Sequence, residues 1–279
     1  MPVLFNFDQI EPTTVTTGVT RQALITKERV NSDFIQLDRL ILQPGISTAL
    51  EVSKTDLSWF QLLQGTATLN SSEKSHKLTT SNVTFLPPGF EGGITTKEGA
   101  EILYGKVPRA DRFDPNFQAS HLALRCVNWR KEPILDSEHD ARKRIYLVTP
   151  TLFGTKAIKG EMIIYPPGTA ASNHYHVGAE HFQYIISGSA KAYLGEETHP
   201  VRAGDTLYNY ENEPHYFIND GDEDMVFVEY FVPAECVTEW INPELVCAWL
   251  PTGKNIDGGI PTRDIGAHSS AETVNPDGV

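Results

Sequence analysis

Two glycine-bounded segments of equal length, one in each half of the chain, constrain the fold more than any other feature. Leu42-Gln43-Pro44-Gly45 is answered by Tyr165-Pro166-Pro167-Gly168, and Trp59-Phe60-Gln61-Leu62-Leu63-Gln64-Gly65 by Phe182-Gln183-Tyr184-Ile185-Ile186-Ser187-Gly188. In each half 19 residues separate the two glycines, although the sequence between them has diverged. A repeat of roughly 120 residues is a duplicated domain, because solenoid units recur about every 20–50 residues. A chain of 279 residues has room for two such domains.

Within each half, short runs rich in Val, Ile, Phe, Tyr and Thr alternate with Gly, Pro, Asn and Asp, as in QLDRLILQPG and SNVTFLPPG, then GEMIIYPPG and DMVFVEYF. This is the punctuation of strands and turns. Helical periodicity is weak, so the expected fold is all-β: two tandem jelly-roll barrels with a short C-terminal helical segment and a tail. The expected boundaries are an N-terminal barrel over 1–107, a linker of little regular structure over 108–143, a second barrel over 144–250 and a polar tail over 251–279. The stretch after Pro233, interrupted by Pro243, is where a short helix is expected.

Charge and cysteine content narrow the partners. Lys and Arg total 23 against 36 Asp and Glu, a net charge of −13, which repels phosphate polyanions and anionic lipid and argues against nucleic acid and membrane as partners. Cys126, Cys236 and Cys247 are too few and too scattered for a disulfide framework. With no basic leader followed by a long apolar run, the expected location is the cytoplasm.

The second half concentrates imidazoles. His174, His176 and His181 lie close together and His215 follows after a turn and a strand. On a strand, His174 and His176 point to one face, so they can share a metal ion, and His215 is placed to approach from across the barrel. His76, His121, His139, His199 and His268 are isolated and read as ordinary surface or core residues. Gln183, Tyr208 and Tyr216 are candidate pocket residues. Trp240 and Cys247 read as core, and Arg144 and Glu229 as possible residues of a pocket mouth. No catalytic residue is assigned.

These motifs resemble those of the cupins. Gly168, five residues, His174-x-His176, a further ligand position and Gly188 look like the first cupin motif, and Gly204, His215 and Asn219 like the second; the resemblance to a bicupin extends over about 35–232. Tyr210 and Asn212 stand where the second motif usually carries proline and glycine. The remaining ligand position has two candidates. Counting forward from His176 gives Glu180, whereas counting back from Gly188 gives His181; neighbouring strand residues face opposite sides, so one of the two faces the barrel. His181 is favoured, because it keeps the register of the following strand and brings Gln183 into the pocket. In the first half, Glu51, Ser53, Ser58 and Gly92 fall at the positions of His174, His176, His181 and His215, a poor transition-metal set. The first barrel is therefore expected to be structural, with one divalent metal per chain in the second.

The resemblance implies three functional classes. Cupins with histidine-rich sites include Fe(II) dioxygenases, which bind a small enolic, catecholic or thiol substrate beside O2; this is the favoured expectation. The overall layout is similar to bicupin ureidoglycine aminohydrolases, which use Mn(II) and whose ligand set has Glu at the position of His174 and Gln at that of His215. A non-enzymatic small-molecule binder or an isomerase is the third class. A homodimer is expected, since pairing covers open sheet edges.

Overall fold

The computed structural model describes residues 2–72 and 74–269. The chain forms two compact units: a first of residues 7–129 and 153–157, and a second of residues 1–6, 130–152 and 158–279. These limits differ from the expected ones. The segment expected as an unstructured linker is divided between the units and contributes strands to both. Arg125–Asn128 pairs with Asn82–Leu86 in the first unit, and Leu135–Ser137 pairs with Lys143–Val148 and Ala248–Pro251 in the second. Each covers a strand whose backbone N–H and C=O groups would otherwise lack partners, which a short polar sequence does not advertise.

Each unit has a large and a small antiparallel sheet, and the duplication is visible strand by strand. In the first, the large sheet runs Asn82–Leu86, Leu57–Gly65, Ala100–Val107, Gln36–Leu42, Val19–Ile25; in the second it runs Asp205–Asn209, Glu180–Ser187, Met225–Val232, Lys159–Tyr165, Lys143–Val148. The edge beyond Asp205–Asn209 is closed by Val3–Asn6, the N-terminal strand of the chain, which therefore belongs to the second barrel and not to the first. Asn6 Nδ2 donates to Asp205 Oδ1 at 2.6 Å and fixes that pairing.

The glycines that mark the repeat have a shared physical cause. Gly45 and Gly168 adopt φ of +78° and +80°, and Gly65 and Gly188 adopt +82° and +76°. Side chains disfavour this left-handed region. At the second pair space also forbids one: a Cβ would stand 2.3 Å from the Gly99 carbonyl oxygen at Gly65 and 2.3 Å from that of Asp224 at Gly188.

The first barrel is filled. Leu50, Val52, Phe60, Leu86, Phe90 and Ile94 lie in one buried apolar cluster. Register corrects part of the sequence alignment here. Gly92 pairs with Ser71 and His215 with Leu194, each partner lying six residues beyond its motif glycine, so Gly92 and His215 do correspond. Gly92 is opposite Leu50, however, whereas His215 is opposite His174. The inward counterparts of His174 and His176 are therefore Leu50 and Val52, and Glu51 points to solvent. A Cβ at Gly92 would stand 2.6 Å from the Phe90 ring, which fills the space that an imidazole takes in the second barrel.

The expected C-terminal helix is a three-residue 3-10 turn, Pro243–Leu245, between the strands Val237–Trp240 and Ala248–Pro251. The cross-strand pairing of the segments on either side overrides helix formation beyond this turn. Of the expected tail, His268–Ser269 returns as a strand against Ala248–Pro251, and 270–279 lie outside the described residues. Among the described residues no helix is long and apolar enough to cross a membrane.

Candidate metal centre

Three strands of the second barrel deliver the imidazoles to one place. His174 and His176 alternate along His174–Val177, with His174 directly opposite His215 of the neighbouring strand. His181 comes from the facing large sheet, where it pairs with Asn209 on one side and Phe231 on the other. His176, His181 and His215 are buried. The ring centroids of His181 and His215 are 4.8 Å apart, those of His176 and His181 4.7 Å, and those of His174 and His215 4.7 Å.

Three of the four imidazoles are anchored through Nδ1. His174 Nδ1 lies 2.8 Å from the Ser172 carbonyl and His215 Nδ1 2.9 Å from that of Glu213. A carbonyl only accepts, so each Nδ1 carries the proton and each Nε2 presents a lone pair. His176 Nδ1 contacts Thr238 Oγ1 at 3.1 Å, while its buried Nε2 has no hydrogen-bond partner among the described residues. This is the arrangement by which metal sites fix the tautomer and orientation of their ligands. His181 Nε2 and His215 Nε2 are 3.2 Å apart. Two nitrogens each about 2.1 Å from one ion, at octahedral or tetrahedral angles, are about 3.0–3.4 Å apart, so the pair fits a shared ion.

A carboxylate completes the tightest set. Ligand atoms of His176, His181, His215 and Glu229 all lie within 4.8 Å of one another. Glu229 Oε1 is 3.5 Å from His181 Nε2 and accepts from Gln183 Nε2, and Gln183 Oε1 accepts from Asn209 Nδ2 at 2.7 Å. His174 is outside this set, with its ring 5.1 Å from that of His176. Glu229 went unassigned as a ligand in the sequence because it belongs to neither motif. The signal that locates it is register: Glu229 pairs with Gln183, two residues after His181 on the same face.

Burial governs the charges. Burial, and then the neighbouring His215, push His174 down to about 3, and burial pushes His215 down to about 4. His176 and His181 lie well below the ordinary imidazole range for the same first reason, reinforced by adjacent imidazoles. Glu229 moves the other way, to about 8, through burial and then the charge of Glu161. Without an ion the cluster is thus a set of neutral donors, the state a divalent cation requires of imidazole.

A cavity opens above these residues. Gln183 lines it, as do Arg144, Glu229, Trp240 and Cys247. Tyr208 and Tyr216 do not. Tyr208 is fully buried on the other face of its sheet and donates to Glu180, the alternative ligand candidate, which faces away from the imidazoles. Tyr216 lies between the inward His215 and Phe217 and stacks on Tyr193 at 4.4 Å. In both cases strand alternation turns the ring away from the cavity.

Residues 161–231 match the cupin domain family. The second barrel is a cupin domain. This cupin is 34% identical over 88 residues to Protein SchB of Streptomyces halstedii and 34% identical over 87 residues to Polyketide synthase CurC of Streptomyces cyaneus, each match covering 31% of the chain. The matches span 63% and 56% of those relatives. Oxalate decarboxylase OxdC of Bacillus subtilis is 32% identical over 94 residues, 32% of this chain and 24% of that one. In three dimensions a structure of OxdC superposes with a TM-score of 0.67 at 19% identity, covering 85% of this chain and 79% of that one. The likeness extends the cupin fold to both barrels: the chain has the architecture of a bicupin.

Proposed function

We propose that this bicupin is an enzyme that holds one divalent transition metal in its second barrel and acts on a small molecule that binds the metal through oxygen. The observation that carries this reading is the convergence of His176, His181, His215 and Glu229 within 4.8 Å of one another beside a cavity that three of them line, with His176 and His215 anchored at Nδ1. A divalent ion there supplies Lewis acidity and, if it is iron, access to O2. The chain's own residues do the rest. Ser172, Glu213 and Thr238 hold three imidazoles in place, Gln183 orients the Glu229 carboxyl, and Phe227, Phe231 and Trp240 shield the site from water.

The favoured reaction class is Fe(II)-dependent dioxygenation, supported by the preponderance of imidazole among the donors. Mn(II) chemistry is the second reading, and Glu229 specifically favours it, because a carboxylate is the harder donor that Mn(II) accepts well. A similar fold is described with Mn(II) centres in Bacillus subtilis oxalate decarboxylase. Metal analysis of protein purified without oxygen, followed by assays on diketones, catechols, thiols, oxalate and ureido compounds, separates the readings. Iron with substrate-dependent O2 uptake supports dioxygenation. Manganese with release of ammonia or CO2 supports the second reading. Protein that binds no stoichiometric metal refutes both.

A further inference from the structure

Three cations line the cavity, and they are not equivalent. The Arg142 Nε donates to both oxygens of Asp140, at 2.8 Å each. Arg144 Nη2 is 3.1 Å from Glu161 Oε1, and its guanidinium lies 4.1 Å over the Trp249 ring. Both charges are therefore compensated and both side chains held. Lys159 differs. Its Nζ lies 4.6 Å over the Phe231 ring, and among the described residues no carboxylate oxygen comes within ion-pair distance of it. Glu161, the nearest acid in sequence, is engaged by Arg144. Cys236, which also acts on Lys159 electrostatically, is kept a neutral thiol by burial.

Lys159 also has a defined position relative to the imidazoles. Lys159, Phe231 and His181 are consecutive partners across three strands, with Lys159 and His181 each paired to Phe231. The Cα atoms of the two outer residues are thus two strand spacings, roughly 10 Å, apart. His181 stacks on the same Phe231 ring at 4.9 Å and 19°, so one aromatic surface connects the ammonium to the imidazole cluster. The remaining walls include Tyr165, Phe227, Trp240 and Trp249.

We propose that Lys159 is the anion-recognising residue of this cavity, and that the substrate is a flat acid whose carboxylate sits on Lys159, remote from the oxygens that bind the metal. Glu161 and Glu229 act on Lys159 through space but neither pairs with it, and a cation without an ion-pair partner in a low-dielectric pocket attracts an anion more strongly than one on the surface does. The flat walls select a planar body between the two ends. This inference rests on the metal-site reading above and specifies its substrate class. Lys159 is a specificity residue here and makes or breaks no bond.

The test uses a rigid probe pair on the full-length protein loaded with Mn(II): para-carboxybenzohydroxamate, and para-carbamoylbenzohydroxamate, its neutral amide. Both carry the same chelating group, and they differ only in remote charge. Titration calorimetry is expected to show the acid bound about tenfold tighter than the amide, as for one charge-assisted hydrogen bond. The preference should vanish in Lys159→Met and persist in Lys159→Arg, with amide affinity unchanged. Equal affinities in the wild type, or a preference that survives in Lys159→Met, would overturn the proposal. Should Lys159→Met not fold, Lys159→Gln carries the same comparison. Metal content of the same samples separates the two readings. Loaded protein that binds both probes equally refutes the role of Lys159 alone, whereas protein without bound metal refutes the metal site and, with it, the substrate class that rests on that site.

Discussion

His181 Nε2 and His215 Nε2 stand 3.2 Å apart across the second barrel, contributed by strands from different sheets. Neither nitrogen is oriented by the other alone: the His215 ring is set by its bond to the Glu213 carbonyl, and the His181 ring by stacking on Phe231. His181→Ala should therefore remove a donor from a site that is otherwise intact, and lower metal affinity by well over the 10–100-fold typical of changes around a site. Glu180→Ala should leave affinity nearly unchanged, since its carboxylate accepts from Tyr208 outside the cluster. Calorimetric titration with Mn(II) distinguishes them; emptying of the site by Glu180→Ala with retention in His181→Ala would reject the assignment.

Metal binding should carry a proton signature that belongs to Glu229. Its carboxyl is raised to about 8, so below that pH an ion must displace a proton to use it. Affinity should climb about tenfold per pH unit between pH 6 and about 8, with one proton released per ion, and level off above. In Glu229→Gln the slope should disappear over that window. Imidazole competition comes much lower, near the value of about 4 reached by His215. Loss of the ion in a step centred near pH 6, unchanged by Glu229→Gln, would contradict this assignment.

The same groups bear on the stability of the metal-free protein. For Glu229 the folded carboxyl holds its proton more tightly than the unfolded one, so its contribution is full below the ordinary carboxylate pKa and declines as pH rises towards 8. The histidines act in the opposite sense. Their folded values are depressed, so they weaken the fold as pH drops from about 6.5 towards 4. Denaturant midpoints of metal-free protein should decrease from pH 6 to 8 by less in Glu229→Gln than in wild type.

The first barrel should remain without metal even when its core is opened. Phe90→Ala removes the ring beside Gly92 but leaves Leu50 and Val52, which offer no donor. The substitution should cost about 3–5 kcal/mol, as for a large aromatic deleted from a core, while metal content stays at one ion per chain. A second stoichiometric ion would refute this.

The two second-barrel motif glycines should respond unequally to alanine. At Gly168 a Cβ meets nothing within 4 Å, so only the left-handed φ is penalised, by about 1–2 kcal/mol. At Gly188 the Cβ also strikes the Asp224 carbonyl, and the loss should be several-fold larger. Urea unfolding of the two variants compares them directly.

These glycines explain why the repeat is legible in the sequence. Left-handed φ and backbone crowding restrict a position to one residue type, so Gly45, Gly65, Gly168 and Gly188 persist where the strands between them diverge. The imidazole cluster was legible because strand alternation and spacing from Gly188 are local properties of His174, His176 and His181. The place of Glu229 among the candidate ligands and the position of Lys159 were not, because both depend on pairing between strands distant in sequence. Tyr208 and Tyr216 illustrate the opposite error: nearness to a ligand in sequence says nothing of face when neighbouring strand residues point apart. The substitution of Leu50 and Val52 for Glu51 and Ser53 has a similar origin, a one-residue offset in the pairing of one strand.

The placement of Val3–Asn6 has a consequence for how the protein is made. This strand is synthesised well before its partner, Asp205–Asn209, which follows about 200 residues later. At roughly 5–20 residues per second, Val3–Asn6 waits about 10–40 s after emerging before that partner is synthesised. Residues 7–129 have by then been translated, although the Phe153–Ala157 segment that completes their unit arrives later, so the two barrels are interleaved in time as well as in sequence. Closure of this edge of the second barrel thus follows the synthesis of about 200 intervening residues, through which the Val3–Asn6 strand is carried unpaired.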